Sequence, residues 1–398
     1  MKVAVLFDNF GPYHIARLRA AAQRTALIAV EFASRSREYA WQSLSASSEP
    51  FRLVTLLSTG TSRDVSCGTF YKILDLHLSS FRPDAVAIPG WSSRRAFAAL
   101  GWCLRTRTPA IVMSESSAHD KARSSWKERL KCRYVRLCSS ALVGGRTHSE
   151  YLAALGLPDD RVFLGYDTVD NEYFATKAAQ VRRQNSDLRK KFSLPEHFFL
   201  ASARFIEKKN LPRLIDAYAR YKDIAMNQAW HLVLLGDGPL RPTLCSRINA
   251  LSLQSCVHLP GFKQYDELPV YYGLTSAFVH ASTVEQWGLV VNEAMASRLP
   301  VLVSNRCGCA PDLVREGMNG FTFDPFDAEA MAEAMFKVSS LSQDRLAAMG
   351  EASRRISAEW GPERFASGLA AAAECARQIG PKKASLLDRI FVRTLMLP

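Results

Sequence analysis

Residues 280–325, HASTVEQWGLVVNEAMASRLPVLVSNRCGCAPDLVREGMNGFTFDP, read as one strand–turn–helix–strand unit. Ala277–Ala281 is a short apolar strand, Glu285 lies in the turn after it, and a helix opens near Gly288 and carries Glu293 about a turn in. A second apolar strand, Val301–Ser304, leads into a Gly/Cys turn, another short helix and a closing loop. A loop carboxylate, backbone N–H groups at a helix start and a second carboxylate suit a ligand that is both anionic and rich in hydroxyls. A sugar attached to a nucleotide diphosphate fits that description.

The same alternation runs outward in both directions. In the second half, strands at Phe198–Ala203, His231–Leu235 and Cys256–Leu259 alternate with helices near Asn210–Lys222, Leu240–Ala250 and Ala328–Ser339. In the first half, apolar runs at Val3–Phe7, Leu27–Phe32, Leu53–Leu57, Ala85–Pro89, Ala110–Ser114 and Ala141–Gly144 are separated by helical patterns such as Pro12–Arg24, Phe70–Ser80 and Ser93–Arg105. Strand–helix alternation means parallel strands with crossover helices, a doubly wound sheet. Two such halves in 398 residues predict two α/β domains with a cleft between them. The boundaries expected are 1–175, a polar and partly helical linker at 176–196, 197–360, and C-terminal helices over 361–398 that cross back to brace the first domain.

Composition narrows the class. With 48% hydrophobic and 22% charged residues this is an ordinary globular chain. No run approaches the roughly 18 apolar residues of a spanning helix, and Asp8 interrupts the N-terminal run too early for a signal peptide. Nine cysteines without zinc-type spacing point to reduced thiols, hence a cytoplasmic protein with no bound metal. The absence of G-x-x-x-x-G-K-[ST] excludes a P-loop, and the lack of G-x-G-x-x-G counts against a nicotinamide enzyme.

The net charge of +13 is concentrated in Lys121–Arg136, where seven basic residues stand against Glu128. Trp126, Leu130, Tyr134 and Leu137 recur there at helical steps, giving a basic amphipathic helix. It is either a solvated helix whose apolar stripe joins the core or a dock for an anionic membrane surface. No nucleic-acid motif accompanies the charge. The tail SLLDRIFVRTLML, within Ala384–Pro398, offers a second interfacial helix.

Ligands of doubly wound sheets gather at the C-terminal strand ends. In the first half those ends carry Asp8–His14 with Gly11, Gly90–Ser92, Gly144–Gly145, and Glu115–His119, where Glu115 and His119 compete as substrate contacts. In the second half, Arg204 and Lys209 stand five apart across a strand-end turn, where a planar guanidinium and a point-charge ammonium can both reach an anion. Gly236-Asp-Gly-Pro239 is a sharp turn after a strand, and Cys307-Gly-Cys-Ala-Pro-Asp312 another before a helix.

Taken together, Arg204…Lys209-Asn210, Gly236-Asp-Gly-Pro239, Leu259-Pro-Gly-Phe262, Glu285-x7-Glu293 with Trp287-Gly288, Leu299-Pro-Val, Ala310-Pro-Asp-Leu313 and Asn319-Gly320 resemble the retaining nucleotide-sugar-dependent glycosyltransferases of family 4. The resemblance covers the second half in order and spacing, and the first half mainly in topology and Gly11. It implies the GT-B fold, an acceptor-side first domain and a donor-binding second domain. It implies that Arg204 and Lys209 bind the donor diphosphate, Glu293 the ribose diol, and Glu285 the transferred sugar. Backbone N–H groups of Gly288, Leu289 and Val290 would face the phosphates, and the base would lie near Phe262 and Gly236. The chain departs from the pattern at Arg298, where glycine is usual, and at Gly308-Cys309, where the family has a glycine pair; Cys309 is thereby a candidate substrate contact. With no D-x-D motif in the chain, no metal cofactor is expected.

The function these readings imply is transfer of a hexose-type sugar from a nucleotide diphosphate to a glycan or lipid-linked acceptor, in cell-surface polysaccharide or glycoconjugate synthesis, peripherally at the inner face of the plasma membrane. A GT-B nucleotide-sugar epimerase and a non-catalytic carbohydrate-binding subunit are the alternatives. Nucleic acid is not an expected partner.

Overall fold

The computed structural model describes residues 1–33, 49–57, 66–120 and 123–396. Lys121, the first basic residue of the charged segment, lies outside the described residues. The chain divides into two compact units, Met1–Thr168 with Pro362–Pro398, and Val169–Gly361.

The first unit is built on β1 (Lys2–Phe7), β2 (Ala26–Glu31), β3 (Arg52–Thr55), β4 (Ala85–Pro89), β5 (Ala110–Ser114), β6 (Ser140–Val143) and β7 (Val162–Leu164). Helices α1 (Pro12–Ala22), α2 (Cys67–Phe81), α3 (Arg94–Thr106), α4 (Ser125–Arg136) and α5 (Arg146–Ala154) connect them. The sheet is parallel with order β3-β2-β1-β4-β5-β6-β7. Its central strands are buried on both faces, which is why they read as unbroken apolar runs rather than as alternation.

The second unit opens with α6 (Asn171–Arg183) and α7 (Asn185–Phe192). Its parallel sheet contains β8 (Phe198–Ser202), β9 (His231–Leu235), β10 (Val257–Gly261), β11 (Ala277–His280), β12 (Val301–Ser304) and β13 (Gly320–Phe323), in the order β10-β9-β8-β11-β12-β13. The helices are α8 (Leu211–Ala225), α9 (Arg241–Ala250), α10 (Leu268–Leu274), α11 (Leu289–Ala296), α12 (Ala310–Leu313), α13 (Ala328–Ser339) and α14 (Gln343–Ala358). The chain then returns to the first unit as α15 (Pro362–Ile379) and α16 (Leu386–Met396). Helix α15 lays Phe365, Leu369, Ala372, Ala373 and Ala376 on the sheet face shared with Ile15 and Leu18 of α1. Helix α16 puts Phe391 and Val392 into the core on the opposite face.

Two expectations need correction. The segment 176–196 is not a linker. It falls on α6 and α7, and the unit boundary lies at Thr168/Val169. Asp170 caps α6 by accepting from Tyr173 N–H at 2.9 Å, and Phe174 and Ala178 are buried. The polarity of the stretch belongs to the outer faces of two surface helices. The closing loop after the short helix contains β13, an edge strand that starts with glycine and buries only its two ends. So short and so weakly patterned a strand leaves no periodic signal.

Candidate functional site

In the second sheet the strand order reverses between β8 and β11, so the loops leaving their C-terminal ends flank the position at which open α/β sheets bind ligands. Those loops hold Arg204 and Lys209 on one side and Glu285 on the other. Asn210 ties them together. Its amide donates to the Ala281 carbonyl at 3.1 Å and the Pro325 carbonyl at 2.7 Å, while its backbone adopts φ 58°, a left-handed conformation that asparagine tolerates. Thr283 N–H adds a bond to the Lys208 carbonyl at 2.9 Å.

The Gly236 turn braces the first loop from behind. Phe205 N–H donates to the Asp237 carbonyl at 2.8 Å, and a Cβ on Gly236 would stand 1.9 Å from the Ala203 carbonyl oxygen. With φ 135° as well, only glycine fits. The turn that follows β9 therefore sets the path of the chain on both sides of Arg204.

At the centre, the Lys209 ammonium is ion-paired with Glu285 Oε2. The same oxygen lies 3.1 Å from His280 Nε2 and 3.1 Å from the Ser282 hydroxyl. Burial opposes ionisation of Glu285. The Lys209 charge and the hydrogen bond from His280 outweigh it, holding the carboxyl below the usual carboxylate range. Burial likewise pushes His280 down, only partly offset by Glu285. The imidazole is therefore neutral near pH 7, and because a carboxylate only accepts, its proton sits on Nε2. The result is an ionised, oriented carboxylate beside a fixed ammonium, a few residues before a helix N-terminus.

That helix is α11. Gly288 is its N-cap at φ 104°, and the backbone of residues 285–287 is pinned to the next turn by Gly308 N–H to the Glu285 carbonyl (3.0 Å) and Cys309 N–H to the Trp287 carbonyl (3.1 Å). Leu289 and Val290 are half-buried in the first helical turn. Glu293 is fully buried, with the Tyr272 hydroxyl donating to its Oε2 at 2.7 Å. Cys309 is also fully buried, its sulfur packed beneath Gly288, whereas Phe262 is exposed. Arg298, where the resembling family has glycine, sits at φ 60° and pairs with Glu351 at 2.6 Å. The left-handed backbone accounts for the family's preference. Among the described residues no group of three His, Cys, Asp or Glu side chains is placed to hold a metal ion.

The remaining predicted residues belong to the first unit. Gly11 is the N-cap of α1, and its N–H donates to His14 Nδ1 at 3.0 Å. Gly145 and His148 repeat the device at the end of β6, at 3.1 Å. The N–H of Gly11 is thus used within its own helix cap. His119 is exposed in a loop organised by Asp120, which accepts from Ser117 N–H and hydroxyl at 2.8 Å each. Glu115 is half-buried at the end of β5 and lies against Asp167, whose carboxyl is raised by burial and by Glu115, against the opposing Arg17.

Residues 183–356 match the family model described as "Glycosyl transferases group 1". The match lies wholly within the second unit. Over 214 residues the chain is 28% identical to the alpha-D-kanosaminyltransferase of Streptomyces kanamyceticus, covering 53% of each chain. Over 151 residues it is 29% identical to the alpha-monoglucosyldiacylglycerol synthase of Acholeplasma laidlawii, covering 37% of each. The aligned region thus spans about half or less of these relatives' length. Among solved structures, Anabaena Alr3699/HepE in complex with UDP and glucose aligns with a TM-score of 0.71 at 17% identity, over 93% of this chain and 98% of that one. WaaG, a glycosyltransferase involved in lipopolysaccharide biosynthesis, aligns at 0.62 and 15%, over 92% and 98%. At these identities the likeness is one of fold, and the fold is GT-B, two Rossmann-like parallel-sheet units.

Within the second unit the structure adds four residues that the sequence reading gave no role. His280 and Ser282 hold Glu285, Asn210 joins the two loops, and Tyr272 holds Glu293. His280 is the last residue of an otherwise apolar strand, which was the available signal. Tyr272 carried none, because a tyrosine in an apolar helix reads as core.

Proposed function

We propose that the chain is a retaining glycosyltransferase. It moves a hexose-type sugar from a nucleotide diphosphate sugar to a glycan or lipid-linked acceptor, without a metal, peripherally at the inner face of the plasma membrane. The observation that carries this reading is the Lys209–Glu285 pair between the β8 and β11 loops, immediately before the N-terminus of α11. The crystal structures of HepE with UDP and with UDP-glucose support the donor class. Relatives named for a glycolipid synthase and for colanic acid and amylovoran biosynthesis support the acceptor class.

In this reading the bond between the anomeric carbon and the β-phosphate oxygen breaks first. Arg204, Lys209 and the first N–H groups of α11 at Gly288, Leu289 and Val290 take up the charge growing on the diphosphate. Ionised Glu285 faces the sugar and supports its cationic anomeric carbon. The acceptor hydroxyl attacks from the same face and passes its proton to the departing phosphate oxygen. Glu293 accepts from the ribose diol in competition with the Tyr272 hydroxyl, and the base lies against exposed Phe262.

Donor turnover tests the site directly. Lys209→Ala and Glu293→Gln each abolish it while the fold is kept, and unchanged turnover in both variants refutes the assignment. Retention of anomeric configuration is read by NMR of the product, and metal independence by turnover that persists in chelator.

A further inference from the structure

Helix α16 has two apolar faces, and one of them points away from the protein. Phe391 and Val392 are buried, with Val392 against Gly101 of α3. On the other side Leu386, Leu387 and Ile390 are 74%, 66% and 52% exposed. The three fall on one helical stripe, with exposed Arg389 and Arg393 beside it. Helix α4 lies next to α16. Its Arg133 donates to Asp388 of α16 at 2.8 Å, and the Arg133 guanidinium covers the Phe391 ring at 5.1 Å. Two turns before Arg133 on the same α4 face stands Trp126, 61% exposed, flanked by exposed Lys127 and Arg129. Four of the chain's large exposed hydrophobics therefore gather on two neighbouring helices.

Charge decides what covers them. The acidic groups of the platform are already used, Glu128 by Arg123 and Lys131, and Asp388 by Arg133. Lys127, Arg129 and Arg136 are exposed on α4, and Lys383, Arg389 and Arg393 on α16 and just before it. A second copy of this surface would bring those cations against each other. A tryptophan and leucines ringed by cations suit the headgroup boundary of an anionic bilayer.

We propose that α4 and α16 together form a membrane-docking platform for an anionic bilayer, α16 inserting Leu386, Leu387 and Ile390 and α4 supplying Trp126 and the flanking charge. The basic helix is thus only half of the surface, since Arg123, Lys131 and Arg133 are already paired with Glu128 and Asp388. The platform deepens the membrane-borne side of the proposed function. Because vesicle binding needs neither donor nor acceptor, its failure and that of the sugar-transfer reading are read separately.

The test is flotation of the full chain with phosphatidylcholine vesicles, with and without phosphatidylglycerol. The wild type floats only with the anionic vesicles. Replacing Leu386, Leu387 and Ile390 together by serine weakens binding at least roughly tenfold, with the near-UV circular dichroism and nucleotide-diphosphate thermal shift unchanged. Lys127→Glu with Arg129→Glu does the same. Failure of the wild type to bind, unchanged binding by the triple-serine variant, or a wild-type dimer that this variant dissociates would each overturn the platform.

Discussion

Lys209→Met removes the ammonium from a carboxylate that has little water to fall back on. Lys209 and Glu285 are 13% and 12% exposed, and the remaining partners of Glu285 Oε2 are a neutral imidazole and a hydroxyl. Stranding a buried charge in this way costs about 3–5 kcal/mol, and the residual hydration of this pair places it toward the lower end. For a unit of this size that lowers the melting temperature of the second unit by roughly 6–20 °C. The pH dependence identifies the cause. In the wild type the folded-state carboxyl sits below its ordinary value of 4.5, so its contribution is complete above that value and is lost as pH falls below it. Without Lys209, burial dominates and the folded-state value moves above the ordinary one. The variant is then penalised as pH rises and relieved as it falls. The difference between wild type and variant is therefore largest near about pH 7.5 and shrinks toward about pH 4.5. Lys209→Met with Glu285→Gln, which removes the stranded charge, recovers at least about half of the loss. Calorimetry of the three proteins at the two pH values is the assay. An equal loss at both, or no recovery in the double variant, refutes the assignment of Glu285 as a buried anion held by Lys209.

Three further outcomes follow from particular contacts. Gly236→Ala drives a Cβ into the Ala203 carbonyl at φ 135°, and it costs more than about 3 kcal/mol and most donor binding, whereas Gly261→Ala, at φ 88° in open space, costs about 1–2 kcal/mol; chemical denaturation and a nucleotide thermal shift compare the two. Asn210→Ala loses both carbonyl contacts and a residue suited to its left-handed backbone, so it costs about 2–4 kcal/mol, and because the loops carrying Lys209 and Glu285 separate, turnover falls further than stability accounts for. His14 is held near 3 by burial and by Arg17, below its ordinary 6.5, so the stability it contributes is complete above 6.5 and falls by about 1.4 kcal/mol per pH unit below it; His14→Gln flattens that slope in the first unit's denaturation curves.

The strand–helix alternation, the two parallel sheets and the residues at their C-terminal edges were legible in the chain, because doubly buried strands and strand-end turns leave local signals. Gly236 was visible as a turn, and Arg204, Lys209, Glu285 and Glu293 as charges in unusual places. What the chain does not carry locally is which of them meet. Lys209 and Glu285 are 76 residues apart, and they pair because β8 and β11 are neighbours at the point where the strand order reverses. The same order delivers His280 and Ser282 to one carboxylate oxygen and lets Asn210 span two loops. It is also tertiary packing, rather than polarity, that makes residues 176–196 part of the second unit and returns α15 and α16 to the first. Periodicity reports which face of an element is buried. Only the packed structure assigns the neighbour that buries it, and only there does α16 show an apolar face left over.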